Sequence, residues 1–159
     1  MILNIRLATP SDIPAIQDLE KRADTAAHWS DETYQKLLVA NAGERVVLVA
    51  DHNGSVSGFL VVRAGQHEWE LENVVVDLNI RRRGIASALI HNLVERAREA
   101  DVEHIFLEVR QSNVSARSLY AKTGFVECGR RSRYYQKPEE DAICYRRAIN
   151  SSQEGSPEL

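Results

Sequence analysis

Two side chains able to move a proton stand close together in the stretch HIFLEVRQSNVSARSLYAKTG, residues 104–124. Glu108 falls in a strand-like segment, 104–110, where Ile105, Leu107 and Val109 share one face and Phe106, Glu108 and Arg110 the other. Helical segments precede and follow it, which predicts a central strand covered on both faces. A carboxylate there is costly unless it has partners or a task. The task open to it is to take a proton from an ammonium, directly or through a water; pairing with Arg110 near solvent is the plainer alternative. Tyr120 lies on the next helix, 113–124, near its middle. A phenol can protonate a departing thiolate, because the two pKa values lie within a couple of units of each other; packing explains it as well. Asn113 is placed to cap that helix, or to offer its amide to a bound group.

A second stretch, NIRRRGIASALIHNLVERA (79–97), runs three arginines into Gly84, Ala86 and an amphipathic helix with Ile85, Leu89, Ile90, Leu93, Val94 and Ala97 in one stripe. A helix N-terminus offers unpaired N–H groups and partial positive charge, which suits a phosphate, and small residues let a phosphate approach the backbone. The pattern is neither a P-loop nor the G-x-G-x-x-G fingerprint. A solvated basic loop remains the plain alternative. A nucleic-acid patch is disfavoured, because no aromatic residues interleave the arginines and the chain's net charge is −3.

The elements that must hold these residues follow from patterning. Residues 2–8 alternate as a strand, and 9–23 form a helix with Ser11 and Asp12 at its start. A second helix spans 30–40, and strands follow at 45–51, 56–65 and 68–77, the first two joined by the HNGS turn at 52–55. After the helix at 84–99 come the strand 104–110, the helix 113–124 and a closing pair of strands, 125–135 and 141–149. A meander that passes into a strand–helix–strand crossover makes a mixed α/β sheet with helices on both faces. We expect a single domain over 1–149 and a disordered tail over 150–159. Apolar content of 43% and charged content of 27% suit an ordinary soluble protein. Cys128 and Cys144 form no C-x-x-C pair, and the five histidines are scattered, so neither a disulfide framework nor a metal site is expected. No apolar run approaches the length of a membrane span, and the N-terminus lacks signal-peptide character, so a cytoplasmic protein is expected.

VVVDLNIRRRGIASALI resembles the acetyl-CoA-binding segment of the GNAT N-acetyltransferase superfamily, whose hallmark is [Q/R]-x-x-G-x-[G/A], here Arg81, Gly84 and Ala86. The resemblance implies a sheet of about seven strands splayed between the fourth and fifth. It implies that the amides of Arg82, Arg83, Gly84, Ile85, Ala86 and Ser87 hold the coenzyme A pyrophosphate. Val74, Val75 and Val76 would then pair with the pantetheine arm and stabilise the developing oxyanion. LEVRQSNVSARSLYAKTGF, followed by R-x-x-Y-Y and E-D-A, is similar to the bacterial ribosomal-protein alanine N-acetyltransferase group. That similarity implies Glu108 as proton acceptor, Tyr120 as proton donor and Asn113 as an acetyl-CoA contact. HWS at 28–30 resembles the group's P-W-S, with His28 where the group has proline.

The implied reaction is direct attack of an amine on acetyl-CoA, with no acyl-enzyme and no metal. The acceptor that the resemblance implies is a protein N-terminus beginning with alanine, as of a ribosomal protein; a small amine, or a non-catalytic acetyl-CoA- or RNA-binding role, are the other readings. Glu68, Glu70 and Glu72 share one strand face and could attract a basic peptide, and Trp29, Tyr134 and Tyr135 could wall a slot for it.

Overall fold

Seven strands and four helices occupy the described residues, 2–23, 31–37, 44–80 and 84–149, of this computed structural model. In chain order they are β1 (Leu3–Leu7), α1 (Ile13–Arg22), α2 (Asp31–Leu37), β2 (Arg45–His52), β3 (Ser55–Ala64), β4 (Glu68–Val76), α3 (Ile85–Glu99), β5 (His104–Arg110), α4 (Val114–Lys122), β6 (Val126–Tyr135) and β7 (Glu140–Ala148). The strands make one sheet in the order β1-β2-β3-β4-β5-β7-β6. β1 and β2, β2 and β3, β5 and β7, and β6 and β7 pair antiparallel, while β4 runs parallel to β5. The expected mixed, open sheet is therefore present. The β4–β5 register comprises three pairs, Glu68–Glu70 against His104–Phe106, the brief pairing that an open sheet requires there.

The chain divides into two compact units, Met1–Ala64 with Leu71–Asn92, and Gly65–Glu70 with Leu93–Leu159. In the first, β2 and β3 are apolar without a break from Val46 to Ala50 and from Phe59 to Val62, the signature of strands buried on both faces. Register sorts the two faces: Val47 lies opposite Val61 and Val49 opposite Phe59, and these join Ile13, Ile16, Leu19 and Tyr34 in one buried cluster. Leu48 and Leu60, of the other parity, are fully buried on the opposite face. Asn53 (φ 53°) and Gly54 (φ 90°) close the β2–β3 hairpin as a primed turn, as HNGS predicts. The start of α1 departs from expectation. A 3-10 turn, Pro10–Asp12, precedes the helix and Thr9 takes the cap position, because Asp12 reaches back to the Thr9 N–H at 2.7 Å while gripping Arg6 at 2.9 Å. Ser11 is exposed.

In the second unit, the buried residues include Ile105, Leu107 and Val109 of β5, Ile143 and Tyr145 of β7, and Tyr120 and Phe125. Gly124 ends α4 as predicted, and the Phe125 N–H turns back to the Tyr120 carbonyl at 2.9 Å. Among the described residues no helix is long and apolar enough to cross a membrane. The tail from 150 onward, Trp29 and His28, and Arg81, Arg82 and Arg83 lie outside the described residues.

Candidate active site

β5 buries alternate residues only: Ile105, Leu107 and Val109 are buried, and Phe106, Glu108 and Arg110 half-buried. The expectation of a strand covered on both faces is thus wrong for β5, because the face opposite its apolar residues retains solvent access. The Glu108 side chain keeps 19% of its accessible surface. It does not pair with Arg110, which instead joins Glu140 (3.2 Å) and the carbonyls of Gln136 and Pro138, and stacks on the Tyr135 ring at 4.4 Å. Sheet order supplies Glu108's partners from β7 and β6. Cys144 lies directly opposite in β7, and its Sγ donates to Glu108 Oε2 at 3.6 Å. From β6, Arg131 Nε approaches the same oxygen at 2.5 Å, and the Tyr134 phenol lies near enough to feel the carboxylate's charge. The negative charge of Glu108 and then burial raise the Tyr134 phenol above its ordinary value. Burial and then Glu108 do the same to the Cys144 thiol, which stays protonated and acts as a weak donor. Burial and then Glu108 push Tyr135 up to about 12.

Tyr120 sits in the last turn of α4 rather than at its middle, because the helix spans only Val114–Lys122. Its ring is buried against Phe125 and Tyr145, with centroids 5.8 and 6.1 Å away. Burial raises its pKa far above the ordinary phenol. It is therefore a neutral hydroxyl at any physiological pH, able to donate a proton and unable to act as a resident base. Among the described residues that hydroxyl has no hydrogen-bond partner. Asn113 caps α4, its Oδ1 accepting from the Ala116 N–H at 3.1 Å. The cap uses one lone pair of the oxygen and leaves the amide NH2 available for another role.

In the first unit, β4 ends with Val75 buried and Val74 and Val76 half-buried. A 3-10 turn, Leu78–Ile80, follows, and Gly84 opens α3 at φ +77°, with nothing within 4 Å of where a Cβ would stand. Gly84 therefore serves by its left-handed backbone, which other residues adopt only with strain, as well as by its size. Ile85 is buried and anchors the helix start, while Ala86 and Ser87 are half-buried. The first N–H groups of α3 have no acceptor within the helix. Gly58 matters by close approach: a Cβ there would stand 3.0 Å from the Val75 carbonyl oxygen and 3.3 Å from the side chains of Ile85 and Val76. Sequence reading gave Gly58 no role.

Of the three acidic residues in β4, Glu72 is taken by Arg45, at 2.7 and 3.0 Å, and approached by Arg63 at 4.0 Å. Glu68 is exposed, and half-buried Glu70 adds its charge to that of Glu108 at Tyr134. Tyr134 and Tyr135 meet edge to face with centroids 5.1 Å apart. Among the described residues no group of three or more His, Cys, Asp or Glu is arranged to hold a metal ion. Sequence reasoning missed Arg131 and Cys144 as partners of Glu108, since nothing local in the chain ties β5 to β6 across β7.

Residues 13–125 match the model of the acetyltransferase (GNAT) family. The bS18 ribosomal-protein alanine N-acetyltransferase of Escherichia coli is 35% identical over 136 residues, which cover 84% of this chain and 88% of that protein. The enzyme of the same description from Salmonella typhimurium is 34% identical over 144 residues, 87% of this chain and 93% of its own. The crystal structure of the Escherichia coli ribosomal-protein-S18 alanine N-acetyltransferase superposes with a TM-score of 0.85 at 29% identity, covering 97% of this chain and 98% of that one.

Proposed function

Since the chain belongs to the GNAT acetyltransferase family and is an acetyl-CoA-dependent N-acetyltransferase, we propose that its acceptor is the N-terminal α-amine of a protein, a ribosomal protein beginning with alanine. The observation that carries this reading is the near full-length likeness to enzymes named for that acceptor. Acetyl-CoA supplies an activated thioester, so the protein's work is to place the amine, free it of its proton and receive the departing sulfur.

We assign the grip on the pyrophosphate to the backbone amides of Arg82, Arg83, Gly84, Ile85, Ala86 and Ser87, with the Arg81 side chain beside them. The α3 start suits this: its N–H groups are unpaired and Gly84 carries no side chain to obstruct an anion. Val74, Val75 and Val76 offer their backbone groups to the pantetheine amides and one N–H to the thioester oxygen as charge develops on it. Asn113 contributes its amide NH2 to the same ligand.

Glu108 is the proton acceptor. An α-amine has a pKa of about 8 and is mostly ammonium at neutral pH, so it cannot attack until a base relieves it. Tyr120 is the proton donor to the sulfur. Its burial raises the phenol, but a thiolate leaving into the same apolar surroundings is destabilised as well, so the two remain matched. The unpartnered hydroxyl of Tyr120 is the feature of the structure that supports this assignment. Cys144 stays a thiol beside Glu108 and forms no acyl-enzyme.

The test is release of coenzyme A thiol in the presence of an alanine-starting peptide, a peptide blocked at its N-terminus, and a panel of small amines. Release that depends on the free peptide N-terminus is expected. Release with small amines alone would overturn the assignment of the acceptor.

A further inference from the structure

We propose that Arg131 is a surrogate cation on Glu108, which the acceptor's ammonium must displace before reaction, so that this arginine sets acceptor affinity rather than the rate of the chemical step. The inference rests on the reading above only in taking Glu108 as the group that meets the ammonium. Glu108 is a half-buried carboxylate with, among the described residues, one cationic partner, Arg131 Nε at 2.5 Å, and one neutral donor, Cys144. The neutral donor can stay when an ammonium arrives, because a carboxylate accepts several hydrogen bonds. Arg131 competes with it directly: both cations seek Glu108, and like charges crowded at one half-buried anion repel.

Three arginines lie close together in β6, and only one of them is spent on Glu108. Arg130 is held by Asp141 at 3.0 Å and Arg133 by Glu139 at 3.1 Å. Arg131 keeps 61% of its side chain exposed, on an edge strand whose register breaks between Arg131 and Tyr135. Its guanidinium already lies 5.3 Å from the Tyr134 ring centroid, an aromatic contact it can keep when it gives up the carboxylate. Arg131 can therefore withdraw at little cost in packing. While it remains, it keeps Glu108 compensated and aimed. It is a positioning residue, and it favours acceptors that arrive as cations strong enough to replace it.

The experiment measures kcat and acceptor KM with an alanine-starting peptide at saturating acetyl-CoA, for the parent, Arg131→Gln and Arg131→Lys, each also with Glu108→Gln. Acetyl-CoA affinity by calorimetry serves as the check on folding. The expected result is that Arg131→Gln lowers the acceptor KM about twofold to fivefold, the scale of a partly exposed ion pair. It should leave acetyl-CoA affinity alone and change kcat little. Arg131→Lys should retain the parent KM, and Arg131→Gln should lose its effect when Glu108 is already glutamine. An unchanged or raised KM in Arg131→Gln overturns the proposal, as does a lysine variant that behaves like the glutamine one. If Glu108→Gln turns over like the parent, the assignment of the base falls, while the competition is still decided by KM in the Arg131 variants alone.

Discussion

Glu108 and Tyr120 differ in what their surroundings demand, and that difference separates a functional role from a structural one. Glu108 takes both of its described donors, Arg131 and Cys144, on one oxygen, which the glutamine carbonyl can replace, so Glu108→Gln removes the charge and keeps the shape. Loss of a general base costs on the order of 10²–10⁴ in rate, so Glu108→Gln should lower kcat on that scale while acetyl-CoA binds as before. Tyr120 has a hydroxyl with no described partner inside a buried ring cluster. Tyr120→Phe removes an unsatisfied polar atom and should leave thermal stability equal or slightly higher. The same change should cost kcat on the order of 10². Stability retained together with turnover lost marks a catalytic hydroxyl; turnover retained would return Tyr120 to packing. Local patterning singled out Glu108, a carboxylate among alternating apolar residues of a strand, whereas the family resemblance singled out Tyr120, whose helix also carries Arg117 and Lys122. Patterning could not find Arg131, because contact between β5 and β6 depends on β7 being inserted between them, a fact of strand order.

At the level of elements, periodicity located every strand and helix of the described residues to within a few positions, because the apolar repeats are long and are broken by HNGS, Gly84 and Gly124. It erred where a side chain reorganised a boundary. Asp12 is the case in point: it is buried, bridges Arg6 and the Thr9 backbone, and converts the first turn of α1 into a 3-10 turn. The Arg6 hydrogen bonds hold the Asp12 carboxyl below its ordinary value despite the opposing effect of burial. A carboxyl lowered on folding contributes stability that is present above its unfolded pKa and is lost as pH falls through the folded one. Asp12→Asn should accordingly destabilise by about 1–3 kcal/mol at neutral pH. The gap from the parent should narrow as the pH falls below the ordinary carboxylate range. Urea unfolding of both proteins across that range reads the effect; a gap constant with pH would show that the ion pair is not its source. β5 offers the complementary lesson. Its alternation read correctly, and its burial did not, because a chain cannot show which of its sheet faces a helix will cover.

Over the whole molecule, the assigned residues are spread along the chain, from the end of β4 and the start of α3 in one unit to β5 and α4 in the other. The family supplies the reason to assign them one ligand; the physical consequence is a linkage. A ligand that binds the folded chain and has no affinity for the unfolded one stabilises by RT ln(1 + [L]/Kd), about 2.7 kcal/mol at a hundredfold excess over Kd. For a chain of 159 residues that corresponds to a rise in Tm of roughly 5–10 °C. Acetyl-CoA should produce such a shift in a calorimetric scan, and desulfo-coenzyme A should produce much of it, because the pyrophosphate and pantetheine contacts do not need the thioester. Gly84→Val should blunt the shift beyond any loss of its own stability, since a branched side chain at φ +77° strains the turn to which we assign the phosphate grip. Glu108→Gln should keep the shift in full, because the role proposed for its carboxylate is with the acceptor and not with acetyl-CoA. A Gly84 variant with an undiminished shift would move the phosphate grip away from this turn. No shift in the parent would remove the turn, the strand end and the linkage together.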